Sequence, residues 1–300
     1  GSTAIANSYD QLRTAGATAR AMLVAAAAAA WKVPASDITV ERGIIRHAKS
    51  GKQGRIGDFA LAASKLPVPA DVPLKDPARF TLIGREGAVK RIDSAIKSTG
   101  QAQYTQDIHV PGMLTVVIAR APRFGATVAS YDATEAGKVP GVVAVKQIPE
   151  GIAVYAKSPW PAIKGRAALK VTWNDEKAEM RSSEQLVAEF RALAQKPGVL
   201  VSAHGDLDKA LKDGGTLVEA EYVFPYLAHA AMEPLNSFIT WYCKTSTARY
   251  GSQFQTMEHA AIAETLGLPL ENVRLETMMA GGSFGRRAQG SQHVAIELAH

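Results

Sequence analysis

Apolar residues first recur at helical spacing, with Leu12, Ala19, Leu23 and Ala27 on one face of "LRTAGATARAMLVAAAAAAW". Ser8 and Gln11 fit a capping box ahead of it, so the pattern predicts a long helix ending near Trp31. Six consecutive alanines, 25–30, predict close approach of a neighbouring element. "DITVERGIIRH" alternates on both sides of Arg42-Gly43 and predicts a hairpin, followed by a short helix over 58–65. "LPVPADVPLKDP", residues 66–77, has four prolines and can be neither helix nor central strand, which makes it the clearest linker.

The pattern then changes. "GMLTVVIARAP", "GVVAVKQIP", "GIAVYAK" and "RAALKVTW" read as short strands, interleaved with helical pieces at 133–138 and 161–166. This mixed order predicts an α+β domain over 91–175. From 176 the pattern restarts with helices at 183–195 and 207–211 and strands "TLVEAEYVF" and "SFITWY". "QTMEHAAIAETLGLP" is a helix with Gly267 at its end and Pro269 beyond, and "VRLETMM" alternates as a half-buried strand. Three segments follow: 1–90 as a partial α+β unit ending in the linker, 91–175, and 176–300. "SQHVAIELAH" starts a helical pattern with no residue to end it, so the chain reads as a piece of a longer one.

Composition changes this picture little. Lys and Arg outnumber Asp and Glu by 34 to 28, but no run of basic residues forms, which argues against a nucleic-acid partner. No apolar stretch is long enough for a membrane span. The single cysteine, Cys243, flanks Trp241 and Tyr242 and reads as a buried thiol; alone it excludes an intrachain disulfide.

Candidate chemistry centres on "AGGSFGRR", where bare backbone follows a strand. Glycines there permit a tight turn, a phosphate loop or contact with a flat ligand, and Phe284 between Ser283 and Gly285 must pack on something. Neither a dinucleotide fingerprint nor a P-loop is present. In "YLAHAAMEPLNSF", His229 and Glu233 are one helical turn apart; a core histidine and a buried, hydrogen-bonded glutamate is the commoner reading than a shared metal. Glu258 and His259 read as a solvated helix face.

"GSQFQTMEHAAIAETLGLPLENVRLETMMAGGSFGRR", together with "HAAMEP", "YDQLRTAGATARAMLVAAAAAAWKV" and "GQAQYTQDIHVPGMLTVVIARAPRFGATV", resembles the molybdenum-binding large subunits of the xanthine dehydrogenase and aldehyde oxidase family. The likeness is greatest to the branch of isoquinoline 1-oxidoreductase beta subunits and membrane-associated aldehyde dehydrogenases. It implies a multi-domain α+β architecture: a hammerhead-like α/β domain flanked by parts of a molybdopterin-binding α+β domain. The implied cofactor is molybdenum-molybdopterin, in its cytosine dinucleotide form, with [2Fe-2S] clusters on a partner subunit. The implied reaction is oxidative hydroxylation of an aldehyde or N-heterocycle with water-derived oxygen. The resemblance places Gln253 as an amide donor to an oxygen ligand of molybdenum, with Phe284 and Gly285 beside the metal. Gly281 and Gly282 allow close approach, Ser283 and Arg286 complete the cofactor-binding loop, and Met232 and Glu233 lie near the substrate pocket.

Ser283 departs from the family's usual third glycine, and residues 286–288 lack the acid that other branches place after this turn. The family's catalytic glutamate is expected outside this chain, so these 300 residues alone are expected to be inactive. Expected partners are the rest of the large subunit, a small [2Fe-2S] subunit and a cytochrome c electron acceptor, with a periplasmic location in bacteria. Two other readings stay open: a noncatalytic scaffold or assembly chain, and an anion- or nucleotide-binding module using the 281–287 loop.

Overall fold

A computed structural model describes residues 3–289 and 294–300. The chain divides into two compact units, one running to Gly100 and the other from Gln101. In the first, α1 (Ala4–Trp31) packs against α2 (Ile56–Ala63) and on a three-stranded antiparallel sheet of β1 (Ile38–Glu41), β2 (Ile44–His47) and β3 (Lys52–Arg55). Ala26 and Ala27 are buried with Ile38, Ile45, Phe59 and Ala63, so the alanine run does serve close packing. Trp31 meets Phe59 edge to face, with ring centroids 5.3 Å apart. Arg42 and Gly43 both take positive φ, at 49° and 78°, as a two-residue turn between right-twisted strands requires. The expected capping box at Ser8 is not formed: α1 begins a turn earlier, and the Ser8 hydroxyl donates back to the Ala4 carbonyl inside the helix. Residues 66–76 form neither helix nor strand, as four prolines dictate. A short α3 (Ser94–Ser98) lies near the end of this unit.

Among the described residues the second unit holds three sheets. β4 (Thr115–Ala119), β7 (Gly151–Ala156) and β6 (Val142–Ile148) form an antiparallel sheet with β7 central. β7 is the most buried strand, with Ile152, Ala153, Val154 and Ala156 at or near zero exposure. β5 (Thr127–Asp132) pairs antiparallel with β8 (Lys170–Asn174), while α4 (Thr134–Gly137) and α5 (Pro159–Ala168) pack together beside the larger sheet. α6 (Ser183–Ala194) opens with a capping box from Ser182 and Gln185, and α7 (Leu207–Lys212) is capped by the Asp206 side chain. The third sheet has the order β11-β10-β9, built from β9 (Phe238–Trp241), β10 (Ser246–Tyr250) and β11 (Val273–Thr277). β10 and β11 are parallel and joined by α8 (Gln255–Leu266), so this part is a βαβ unit. Gly267 ends α8 in the left-handed conformation, φ 64°. α9 (Val294–Ala299) packs on α8 and β9; residues 291–293 of the expected terminal helix lie outside the described residues.

Two expectations fail here. Residues 216–224 form no strand: among the described residues no strand pairs with them, and Leu217, Val218, Tyr222 and Phe224 are more than two-thirds exposed. Apolar alternation favours a strand only where a neighbour supplies the ladder. Cys243 is not buried; it sits exposed at φ 61° in the turn between β9 and β10.

Arg120, just past β4, is ion-paired with Glu297 on α9. Burial pushes the Glu297 carboxyl above the ordinary glutamate range even against that guanidinium. A raised folded-state value means the folded chain holds a proton that the unfolded chain has released, so this group's contribution falls as pH rises from about 4. Glu297→Gln is therefore expected to gain stability relative to the parent as pH goes from about 4 to 7. Urea midpoints across that range check it; a constant difference overturns it.

Candidate cofactor-facing site

The candidate site forms where both ends of the βαβ unit meet the 231–236 segment. At the end of β10 the chain turns through Gly251, Ser252 and Gln253 into α8. Glu258, one turn into α8, is fully buried, and its carboxylate accepts from the Tyr250 hydroxyl (2.9 Å), the Ser252 hydroxyl and the Phe254 amide (3.4 Å). An acid at this position also suits the positive end of the helix. Burial next to the Glu258 carboxylate pushes the Tyr250 phenol upward, so it stays a hydrogen-bond donor. Glu258 is thus an internal anchor for the loop that carries Gln253, not part of a solvated face. His259 is also tied inward, its Nε2 lying 2.6 Å from the Val273 carbonyl.

Beyond β11 the chain enters the glycine turn. Gly282, Phe284 and Gly285 have φ of 115°, 52° and 86°, a cluster that side chains disfavour. Phe284 adopts it while 73% exposed, so no core contact holds its ring. Close approach is real at Gly281, where a Cβ would lie 2.5 Å from Glu233 Cβ. Glu233 is buried and engaged on several sides: its carboxylate accepts from the Gly281 amide (2.7 Å), from Arg287 Nη2 (3.0 Å) and from Asn236 (3.0 Å), and its own amide donates to the Gly281 carbonyl (3.1 Å). Arg287 is 1% exposed and also donates to the carbonyls of Gly282 (3.0 Å) and Gly251 (3.4 Å). One ion pair therefore ties together the 231–236 segment, the β10–α8 loop and the glycine turn.

The predicted residues divide. Gln253 and Ser283 are brought into contact, the Ser283 hydroxyl donating to Gln253 Oε1 at 2.6 Å. Gly281 and Gly282 back onto Glu233 and Ala231. Ser283 and Arg286 line a cavity of about 370 Å³ with His229, Ala231, Pro234 and Leu235. Met232 is 94% exposed, and Glu233 is locked inward rather than open to solvent. His229 is exposed and lies on no helix, so it and Glu233 are not the one-turn pair their spacing suggested. Among the described residues no group of three or more His, Cys, Asp or Glu could hold a metal, and no helix is long and apolar enough to cross a membrane. Sequence reading missed Glu258, Tyr250 and Arg287. The second arginine of the "GRR" pair was the one available signal.

Among the described residues the amides of Gly282, Ser283, Phe284 and Gly285 donate to no protein acceptor. The Gln253 carboxamide, itself a neutral donor group, meets this turn at Ser283. Residues 167–299 match the molybdopterin cofactor-binding domain family. Over 97% of its length the chain is 28% identical to isoquinoline 1-oxidoreductase subunit beta of Brevundimonas diminuta, covering 42% of that protein. It is 30% identical over its whole length to the membrane-bound aldehyde dehydrogenase [pyrroloquinoline-quinone] of Gluconacetobacter polyoxogenes, covering 40%.

Residues 167–299 belong to the molybdopterin cofactor-binding domain family, and the chain as a whole is similar to molybdenum-binding subunits of the xanthine dehydrogenase and aldehyde oxidase family.

The fold agrees: quinoline 2-oxidoreductase from Pseudomonas putida 86 superposes with a TM-score of 0.53 at 19% identity, over 70% of this chain and 32% of the other. The chain spans about two fifths of the length of the two curated relatives it matches. Within the family match lie Gln253, Ser283, Phe284 and the anchors Glu233, Glu258 and Arg287.

Two stability predictions follow from the anchors. Glu258→Ala removes an acceptor shared by three donors and is expected to cost about 3 kcal/mol or more, against roughly 1 kcal/mol for Tyr250→Phe, which removes one donor. Denaturant unfolding measures both, and equal losses would contradict the shared-acceptor role. Glu233→Ala is expected to cost about 3–5 kcal/mol by stranding the buried Arg287 guanidinium, and adding Arg287→Met is expected to recover part of that. Additive losses in the double-mutant cycle would deny the coupling.

Proposed function

We propose that this chain forms one wall of a molybdopterin site in an oxidoreductase that hydroxylates an aldehyde or an N-heterocycle. The observation that carries the reading is the juxtaposition of the Gln253 carboxamide with the glycine turn, where four consecutive backbone amides have no protein acceptor among the described residues. When bound, the cofactor supplies the redox centre for oxygen insertion and two-electron transfer. Gln253 offers a neutral donor that does not titrate, so its hydrogen bond holds at any working pH. Gly282 and Gly285 leave the backbone uncovered, and the Phe284 ring stands exposed beside them to bound the space a flat ligand occupies. The 370 Å³ cavity next to Ser283 and Arg286 gives the ligand's anionic end a cationic neighbour. In this reading 91–175 is the hammerhead-like domain and 176–300 the first part of the cofactor domain. The cytosine dinucleotide form, the [2Fe-2S] partner, the electron acceptor and a catalytic glutamate in a further segment of the large subunit belong to the same proposal.

A second cofactor is suggested by one relative, whose name carries pyrroloquinoline quinone. Such a quinone is also flat and anionic and would suit the same donors. The molybdopterin family match favours the first reading.

The decisive experiment is metal and cofactor analysis of the assembled complex from its native host. Molybdenum and a fluorescent pterin are expected, and a quinone without molybdenum would overturn the proposal. In that complex Gln253→Ala is expected to lower kcat by about 10- to 100-fold, the loss of one aimed donor, with the unfolding midpoint unchanged. A variant that unfolds while its residual folded fraction turns over normally would assign Gln253 to folding instead.

A further inference from the structure

A glutamine side chain ends in a group that can present either a donor or an acceptor, and the terminal torsion choosing between them is broad and nearly two-fold. Gln253 is exposed, so burial does not fix that torsion. Its one protein contact at the carboxamide among the described residues is with Ser283, 2.6 Å from Oε1. The hydroxyl faces the carbonyl oxygen of the carboxamide, at a distance inside the usual O–H···O range of about 2.5–3.0 Å. The backbone amide of Arg287 donates to Ser283 Oγ at 3.2 Å, occupying a lone pair of the hydroxyl and leaving its proton for Gln253. The same Arg287 is fixed by its buried pairing with Glu233 and by the Gly282 carbonyl. Arg287 thus links a buried ion pair at its guanidinium to the surface amide through its own backbone N–H and the Ser283 hydroxyl.

We infer that Ser283 is a positioning residue: it holds Gln253 Oε1 against the turn, so the side chain is oriented with its amino group outward and favours as ligand an atom with a free lone pair. A glycine or alanine at 283 could not make this contact, and Gln253 would then offer donor and acceptor faces alike. The inference deepens the proposed function, since a hydrogen-bond acceptor is then the favoured ligand atom opposite Gln253, but the orientation of the amide precedes any ligand and is testable without one.

The test uses the full chain without cofactor. The Gln253 side-chain amide pair is assigned in a ¹⁵N-resolved proton spectrum as the signals lost in Gln253→Ala. In the parent they are expected away from the envelope of free glutamines. Ser283→Ala is expected to return them to that envelope, while Ser283→Thr, which keeps the hydroxyl, restores the parent shifts. Backbone amide signals of α8 and β11 remaining in place separate this from unfolding. Gln253 signals that are the same in the parent and in Ser283→Ala would overturn the inference, as would a threonine variant that behaves like alanine. Absence of molybdenum from the native complex would sink the proposed function and leave this result standing, so the two failures are distinguishable.

Discussion

The site depends on one buried ion pair. Glu233 and Arg287 come from segments 54 residues apart in the chain and retain 8% and 1% exposure. Isolated, either charge would be far too costly to bury; together, with further bonds to the Gly281 amide and the Gly282 and Gly251 carbonyls, each is satisfied. The pair therefore has a geometric effect beyond any net stability. The 231–236 segment, the loop after β10 and the turn after β11 must lie where these atoms meet. Gly281 is needed because a side chain would sit on Glu233 itself.

The βαβ unit supplies the frame on which this pair acts. Parallel pairing of β10 with β11 brings the ends of both strands to the same edge of the sheet, so the loop leaving one and the turn leaving the other become neighbours. Ligand crevices outside the carboxyl ends of parallel strands are a general consequence of that topology. Here a second buried carboxylate, Glu258, steadies the loop from within, collecting Tyr250, Ser252 and the Phe254 amide. Both buried carboxylates act in the interior of the site, while Gln253 and the glycine turn leave neutral donors beside the cavity wall that Arg286 lines.

Local rules made much of the fold legible. The Arg42-Gly43 hairpin, the proline segment, the Gly267 helix end and the strands of the antiparallel sheet each follow from residues close in sequence. What was not legible depended on distant partners. Residues 216–224 have the alternation of a strand but no described strand to pair with, whereas the short β5 and β10 are strands because β8 and β11 lie beside them. Glu258 has the spacing of a surface residue and is buried only because the end of β10 folds over it. Gln253, Ser283 and the glycines were found through family resemblance; spacing alone allowed a turn, a phosphate loop or a flat-ligand site, with no nucleotide fingerprint to support the second. Resemblance did not disclose that Arg287 is the anchored arginine, since two adjacent arginines look alike until one is seen to be enclosed.

That distinction between Arg286 and Arg287 shows how the turn works. Successive side chains leave a tight turn in different directions, so an adjacent pair can send one guanidinium inward and leave the other at a cavity wall. The inward one closes the turn on Glu233 and, through its backbone amide, sets the Ser283 hydroxyl. The residues between must then take positive φ to complete the reversal, which Gly282 and Gly285 do freely and Phe284 does at some strain. That strain is offset by the hydrogen bonds on either side of it, Gly281 to Glu233 before and Arg286 to the Ser283 carbonyl after. Exposed amides and an exposed aromatic ring are thus a consequence of how firmly the two ends of the turn are held. A looser turn could rotate its amides toward protein acceptors and would offer a ligand nothing.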